Sequence, residues 1–457
     1  MLSYKKTQYT NSMHIKNHKF KPGKKVAIIG GGFLGLSLAY YLGKANIETV
    51  LIEKQQDLGG LANTIKVNNG NLEKYYHHLF KSDSSIYSLL KELGIADKLE
   101  WIPAKMGIFI NDKLHNFSGP LDLLKFEPLP FFARIRAGIV SFYLQKFANP
   151  KHYKEVTALA WCQKNYGSTV TRILWEPLLK SKFNDSYDKV AMIWLWARLH
   201  DRGSSRPNLF ADEQLGYIKG SFKTAIDTLE QALKDTHVKV YKNSGILDFQ
   251  DGGRIHKLVW RDHKGKMTQA HFTHIVATIP PEQFLDIFNA PKPYSKQWQS
   301  IEFIGALCIN LVLKKSLSRY YWTSINNPAE PFVALIEHTN LVDKANFNNK
   351  HIVYLAKYCK TTDAIFQADE QKLRTYIIDF LHKINPDFSP DWIESMSYFK
   401  ASQAQHIVKT DYQIPEYKSG IKNVYLAHFA QIYPHDRGTN YAVAQAQELF
   451  KLIKQSN

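Results

Sequence analysis

Residues 25–53 constrain this chain more than any other stretch. Lys25-Val-Ala-Ile-Ile29 is a short apolar run of the kind that lies buried in a parallel sheet. It leads directly into Gly30-Gly-Gly-Phe-Leu-Gly35, and then into residues 36–45, rich in Leu, Ala and Tyr, which read as a helix. Thr49-Val-Leu-Ile52 is a second strand, with Glu53 at its end. A strand, a Gly-x-Gly-x-x-Gly turn, a helix and a second strand within about 30 residues make a dinucleotide-binding βαβ unit. Gly30 lets the chain turn sharply out of the strand. Gly32 admits a pyrophosphate beside the backbone, and Gly35 lets helix and sheet approach closely. The helix N-terminus, opening with Phe33 and Leu34, offers free N–H groups and partial positive charge to phosphates. Glu53 is placed to accept hydrogen bonds from an unphosphorylated ribose, and Lys54 follows it as a further cofactor-binding candidate.

The chain has 457 residues, enough for two or three domains at about 100–200 residues each. Its 44% hydrophobic content suits a large core and excludes a disordered or low-complexity chain. Lys and Arg total 59 against 41 Asp and Glu, a formal net charge of +18. No zinc finger, RNA-binding sheet signature or basic zipper accompanies that charge, so specific nucleic-acid binding is not expected. The three cysteines, Cys162, Cys308 and Cys359, are far apart and odd in number. They exclude a disulfide framework and a Cys-x-x-Cys metal site, and they suit a reducing, cytoplasmic setting. The scattered histidines show no metal-ligand spacing, so no metal is expected. The basic, polar residues 1–22 lack the apolar stretch of a signal peptide, and no run of about 18 apolar residues predicts a membrane span.

A second glycine signal follows the acidic strand end: Glu53-Lys54-x-x-x-Leu58-Gly59-Gly60-Leu61-Ala-Asn-Thr64. Here the chain resembles the flavin amine oxidase superfamily, which includes protoporphyrinogen oxidases, phytoene desaturases and, more distantly, UDP-galactopyranose mutases. The resemblance continues at Gly216-Tyr-Ile-Lys-Gly220, at Ile246, at His274-Ile-Val-Ala-Thr-Ile-Pro280 and in residues 423–450. It departs from the family at Ala427-His428-Phe429-Ala430, where Gly-Glu or Gly-Asp is usual, and at His274, where an Asp is usual. The resemblance implies an α/β fold, with a Rossmann-like FAD-binding domain of the amine oxidase or glutathione reductase type and an interleaved α+β substrate domain. On that basis residues 23–80, 216–295 and 401–457 are assigned to the FAD domain. Residues 81–215 and 296–400 form the substrate domain, and residues 1–22 a basic tail.

The same resemblance implies FAD contacts for Gly59, Gly60 and Leu61 along the phosphates and ribityl chain, for Ile246 at the adenine, and for Gly438 and Asn440 at the ring or ribityl. No Cys stands in the C-terminal loop, which implies non-covalent FAD. Of the two histidines in Glu73-Lys-Tyr-Tyr-His77-His78, either is a candidate proton shuttle or a hydrogen-bonded structural residue. Asp436 and Arg437 belong to the dense polar cluster Tyr433–Asn440 before the last helix, as site candidates or as only a local salt bridge, and Leu174–Phe183 reads as scaffold. The implied function is an FAD-dependent oxidoreductase moving hydride from an amine, or a large apolar or cyclic small-molecule substrate, to flavin N5. The alternative is a UDP-sugar mutase-like isomerase using reduced FAD as nucleophile, for which Arg198, Arg202 and Arg206 are suggestively grouped. Residues 121–147 combine Phe131-Phe132 with Arg134, Arg136 and Lys146, a composition that suits either a helix pair packed inside the substrate domain or peripheral membrane contact. The oligomeric state is not legible.

Overall fold

The computed structural model describes residues 23–206 and 212–456; the basic tail lies outside them. Its first element, β1 (Lys25–Ile29), is buried from Val26 onward. Helix α1 (Phe33–Lys44) and strand β2 (Glu48–Ile52) follow, and β1 and β2 pair in parallel with Ala27 opposite Val50. A five-stranded parallel sheet grows around them in the order Val424–Leu426, His274–Ala277, β1, β2, Val238–Tyr241. Its strands thus come from three distant stretches of chain. Both faces are covered, which is why β1 is apolar throughout rather than alternating. On one face α1 packs with helices Phe222–Lys234 and Thr439–Gln455, joining Leu36, Leu38, Ile226, Leu229, Val443 and Leu449 in one core. On the other, Ala27, Ile29 and Ile275 meet Leu258, Trp260 and Phe272 of a three-stranded antiparallel sheet. Asp251-Gly-Gly253 lies in the turn between its first two strands, Gly245–Gln250 and His256–Arg261.

In a seven-stranded mixed sheet, Phe303–Leu313 lies between the edge strand Ile393–His406 and the strand His351–Cys359. Its side chains alternate with the strand period of two. Ile309, Leu311 and Leu313 turn toward helix Glu370–Ile384, while Cys308 and Val312 turn toward the core that contains α1. A helical region, residues 120–204, buries Trp194, Leu195, Phe183 and Tyr166 in a further core, which also takes in Ile108, Ile110 and Val408.

Some expected boundaries move. Strand Ile393–His406 pairs with Phe303–Leu313 along its length, ending at Phe303 opposite His406, so a boundary at 401 falls inside it. The helix expected over 84–99 stops at Glu92, because Gly94 takes φ +71° and turns the chain in a left-handed C-terminal cap. That helix buries Ile86, Leu89 and Leu90 against Val443 and Ala446, on the α1 side of the molecule rather than with the residues that follow it.

Candidate functional site

The glycine turn opens onto a cavity of about 900 Å³. Gly30, Gly32, Phe33, Leu34, Glu53, Lys54, Gly59, Gly60, Leu61, His77, His78, Ile246, Gly438 and Asn440 all line it. The three glycines of the turn answer to different demands. Gly30 has φ +109°, and a Cβ there would lie 2.5 Å from Thr278 Oγ1. A Cβ on Gly35 would lie 2.0 Å from the Gly30 carbonyl oxygen. Both are required by the fold itself. Gly32 is not: its φ of −68° suits any residue, and a Cβ there would meet only the Gly60 Cα, at 3.8 Å. It would project into the cavity instead, so what needs a glycine at 32 is an occupant, as a pyrophosphate would. Gly59 and Gly60 run alongside, bridged to the turn by the Gly59 N–H donating to the Gly31 carbonyl at 2.8 Å, both glycines having positive φ.

Glu53 holds this loop as well as facing the ribose position. Its carboxylate accepts from the Gly31 N–H at 2.5 Å and the Gln55 N–H at 2.7 Å. Asn440 also serves the fold. Its side-chain carbonyl accepts from the Ser85 and Ile86 N–H groups, at 2.9 and 3.2 Å, joining two helix N-termini. At the two departures from the family pattern, a neutral histidine does the work. His428 Nδ1 accepts from the Ala430 N–H at 3.4 Å, and burial pushes the ring down to about 3. Burial likewise lowers His274 to about 4; its ring nitrogens meet Thr273 and Ser456 hydroxyls at 2.9 and 2.7 Å.

The opposite wall comes from the seven-stranded sheet and the helical region. Tyr75, Tyr76, Trp322 and Tyr358 supply aromatic surface, with Tyr76 and Trp322 edge to face at 5.0 Å. His77 and His78 lie beside them, and burial lowers them to about 4 and 3, so both are neutral at pH 7. His77 Nδ1 donates to the Tyr75 carbonyl at 2.6 Å, which leaves Nε2 with its lone pair. His78 Nδ1 is paired with the Tyr321 hydroxyl at 3.0 Å.

Charged residues complete this wall; Arg198, Arg202, Asp436 and Arg437 were visible in the sequence as groups, whereas Lys182 and Lys357 carried no signal. Lys182 lies in the segment read as scaffold, yet it is buried and lines the cavity. Its Nζ sits 2.6 Å from Asp436 Oδ2, and Arg198 approaches the same oxygen at 3.1 Å. The Trp194 indole N–H donates to the other carboxylate oxygen at 2.8 Å. Burial works against the Asp436 carboxylate, but Lys182 and Arg198 hold it well below the usual range. The expected Asp436–Arg437 pair is replaced by this network, and Arg437 turns to Gln405 and Tyr358 instead. Arg206 is not part of the cavity wall; it donates to the Ser118 carbonyl. Among the described residues, no group of three His, Cys, Asp or Glu is placed to hold a metal ion.

The family model for flavin containing amine oxidoreductases matches residues 35–432. The chain belongs to this family. FAD is accordingly its cofactor, and the glycine turn, Glu53 and the open space at Gly32 suit that group. Coproporphyrinogen III oxidase from Staphylococcus aureus is 24% identical over 298 residues, covering 58% of this chain and 62% of the relative. The chain thus spans less than two thirds of that relative's length. A 15-cis-phytoene desaturase from Narcissus pseudonarcissus is 34% identical over 97 residues, 21% of this chain and 17% of the desaturase. Among solved structures, a protoporphyrinogen oxidase candidate from Exiguobacterium sp. 255-15 aligns with TM-score 0.74 and 16% identity over 94% of this chain and 99% of its own. Putrescine oxidase bound to putrescine aligns with TM-score 0.69 and 14% identity over 94% and 98%. At such identities the likeness is one of fold. The matches to this flavin family favour oxidoreductase chemistry, and the UDP-sugar mutase-like alternative is not favoured.

Proposed function

We propose that this protein is an FAD-dependent oxidoreductase that oxidises a bulky small molecule with an apolar or ring-bearing body. The observation that carries the reading is a single cavity joining the phosphate-binding glycine turn to an aromatic wall. Bound FAD supplies a two-electron acceptor, and the chain's own groups do the rest. Gly30–Leu34, Gly59–Leu61 and Glu53 hold the nucleotide, with Ile246, Gly438 and Asn440 beside it, and no covalent link is needed. Tyr76, Trp322 and Tyr358 exclude water and present flat surface to the substrate. His77 Nε2, a free base at pH 7, is the proton acceptor we assign, with His78 as its neutral neighbour. The interleaved division into an FAD-binding body and a substrate body accords with a parallel sheet drawn from three stretches of chain.

Anaerobic mixing of the purified, FAD-loaded chain with candidate porphyrinogens, polyenes and amines tests the reading. Bleaching of the flavin's visible absorbance by at least one of these classes is expected. Protein that holds no flavin, or flavin that only dithionite reduces, would refute it.

Peripheral membrane contact through the Phe131–Lys146 helix is part of the same proposal. Its outer side exposes Phe132 by 84%, Ile139 by 65% and Phe147, just beyond its end, by 69%, with Lys125 and Lys146 exposed nearby. Aromatic side chains flanked by lysines suit an anionic lipid surface. Arg134 and Arg136 are not free for lipid in the way the sequence implied. They donate to the Leu129 and Leu124 carbonyls and to the Asn165 and Lys164 carbonyls respectively. Among the described residues, no helix is long and apolar enough to cross a membrane.

A further inference from the structure

On the wall of the cavity away from the glycine turn, cations outnumber carboxylates. Lys182 from helix Glu176–Phe183, Arg198 and Arg202 from helix Met192–Ser204, Lys357 from strand His351–Cys359, and Arg437 from the loop before the last helix all line it. The carboxylates that line the cavity beside these cations are Asp83, Asp201 and Asp436; Glu53, with Lys54 next to it, lies at the end of β2, and Asp286 lies on helix Pro281–Phe288. Asp436 is already shared between Lys182 and Arg198. Asp201 is taken by His435 Nδ1 at 2.8 Å. Asp83 accepts the Phe80 N–H at 2.9 Å, and burial pushes it up to about 7, so it carries only part of a charge at neutral pH. Arg202, Arg437 and Lys357 are left over. Among the described residues none of them forms an ion pair, and the partners of Arg437 are Gln405 and Tyr358. Glu213 lies in the field of Arg202, but at no salt-bridge distance.

Arg202 and Arg437 are half-buried, and a guanidinium partly withdrawn from water without a carboxylate is stabilised when an anion joins it. Of the surplus, Arg202 lies on a helix, Lys357 on the seven-stranded sheet and Arg437 on the loop before the last helix, whereas the glycine turn that takes the cofactor phosphates lies at the end of β1. We infer that the substrate is an oxyanion: a carboxylate or phosphate on an apolar or aromatic body, held by Arg202 and Arg437 with Lys357 in support. The inference rests on the oxidoreductase reading above and narrows its substrate class. It also sets the chain against protonated amines, because a cavity with spare cations repels an ammonium group. Planar guanidinium groups suit carboxylate and phosphate alike, and the body of the ligand packs against Tyr76 and Trp322.

Calorimetric titration of the FAD-loaded full chain with benzoate, phenyl phosphate and benzylammonium tests this, since the three share a ring and differ in charge. At least one anion is expected to bind more tightly than benzylammonium, with affinity that falls as NaCl is added. Whichever anion binds tighter identifies the oxyanion as carboxylate or phosphate, and inorganic phosphate should compete with it. Arg202→Gln and Arg437→Gln should each weaken that anion about tenfold, and Arg202→Lys should restore part of the loss. Lys357→Gln, on a different element, serves if either arginine variant fails to fold, and should weaken the anion several-fold. Benzylammonium binding as tightly as the anions, or no anion heat up to about 10 mM, overturns the inference. So does loss of FAD from folded Arg202→Gln and Arg437→Gln, which would assign these cations to the cofactor. Flavin content and flavin bleaching are read on the same samples: protein that keeps its flavin but prefers the cation refutes only the inference, and protein that never holds flavin refutes the oxidoreductase reading.

Discussion

Gly32 separates cofactor binding from folding at a single residue. Because its φ is ordinary and its Cβ position open on the protein side, Gly32→Val should leave the melting temperature of the flavin-free protein nearly unchanged and abolish FAD retention. Gly30→Val and Gly35→Val, by contrast, should destabilise the chain itself, since both would clash with backbone or Thr278. Flavin absorbance and thermal melts on the three variants check this; full FAD occupancy in Gly32→Val would defeat the assignment. Glu73 makes a second residue-scale case. It is fully buried, accepting the Tyr217 hydroxyl at 2.8 Å and the Phe222 N–H at 2.8 Å, and burial pushes it from 4.5 up to about 7. Between those values the folded chain binds the proton more tightly than the unfolded chain. Its contribution is therefore complete below pH 4.5 and is lost as pH rises through about 7, on the order of 3 kcal/mol in all. Glu73→Gln keeps a neutral acceptor for Phe222, so its stability should vary less between pH 5 and pH 8 than that of the parent. Equally steep profiles in denaturant melts at the two pH values would exclude Glu73 as the cause.

At the scale of elements, the Phe131–Lys146 helix carries the sharpest expectation. Vesicles rich in anionic lipid should pull down the protein at low salt, and the doubly substituted Phe131→Ser, Phe132→Ser chain should bind at least about tenfold less. No sedimentation of the parent at low salt would remove the membrane from the proposal. The exposure of this helix was not legible in the sequence. An apolar run broken by Arg134 and Arg136 reads equally as a buried helix pair, and only folding shows that both arginines are spent on backbone carbonyls. The βαβ unit was legible to the residue, because its glycines, strands and acidic end lie within one short stretch whose spacing is fixed by local geometry. Lys182 and Tyr358 were not. They reach the cavity from elements about 170 residues apart, and no periodicity in either element marks the side chains that line it. Asp436 and Arg437 were visible as a polar cluster, but adjacency in sequence suggested a pair that the fold does not make.

For the molecule as a whole, the cavity is where the parallel sheet, the seven-stranded sheet and the helical region meet, so its occupant ties them together. FAD at about a hundredfold excess over its Kd should add about 2.7 kcal/mol to stability, and removing it should lower the melting temperature by a few degrees. The loss should appear in the helical region too, because Lys182, Arg198 and Arg202 face the same space. Hydrogen exchange with and without FAD checks this. Faster exchange confined to residues near the glycine turn would show that the helical region is stabilised independently.

The strand order of the parallel sheet also shapes how the protein is made. β1 acquires its partner β2 almost at once, but its other neighbour, His274–Ala277, lies nearly 250 residues later, and the strand beyond that is Val424–Leu426. On a ribosome adding about 5–20 residues per second, roughly 20–80 s separate the emergence of β1 from that of the edge strand. Through that interval the glycine turn exists without the loop at Gly438 that faces it across the cavity. Flavin capture therefore waits for the residues around Gly438, and a cell short of FAD would accumulate chains made past that loop and still waiting for their cofactor.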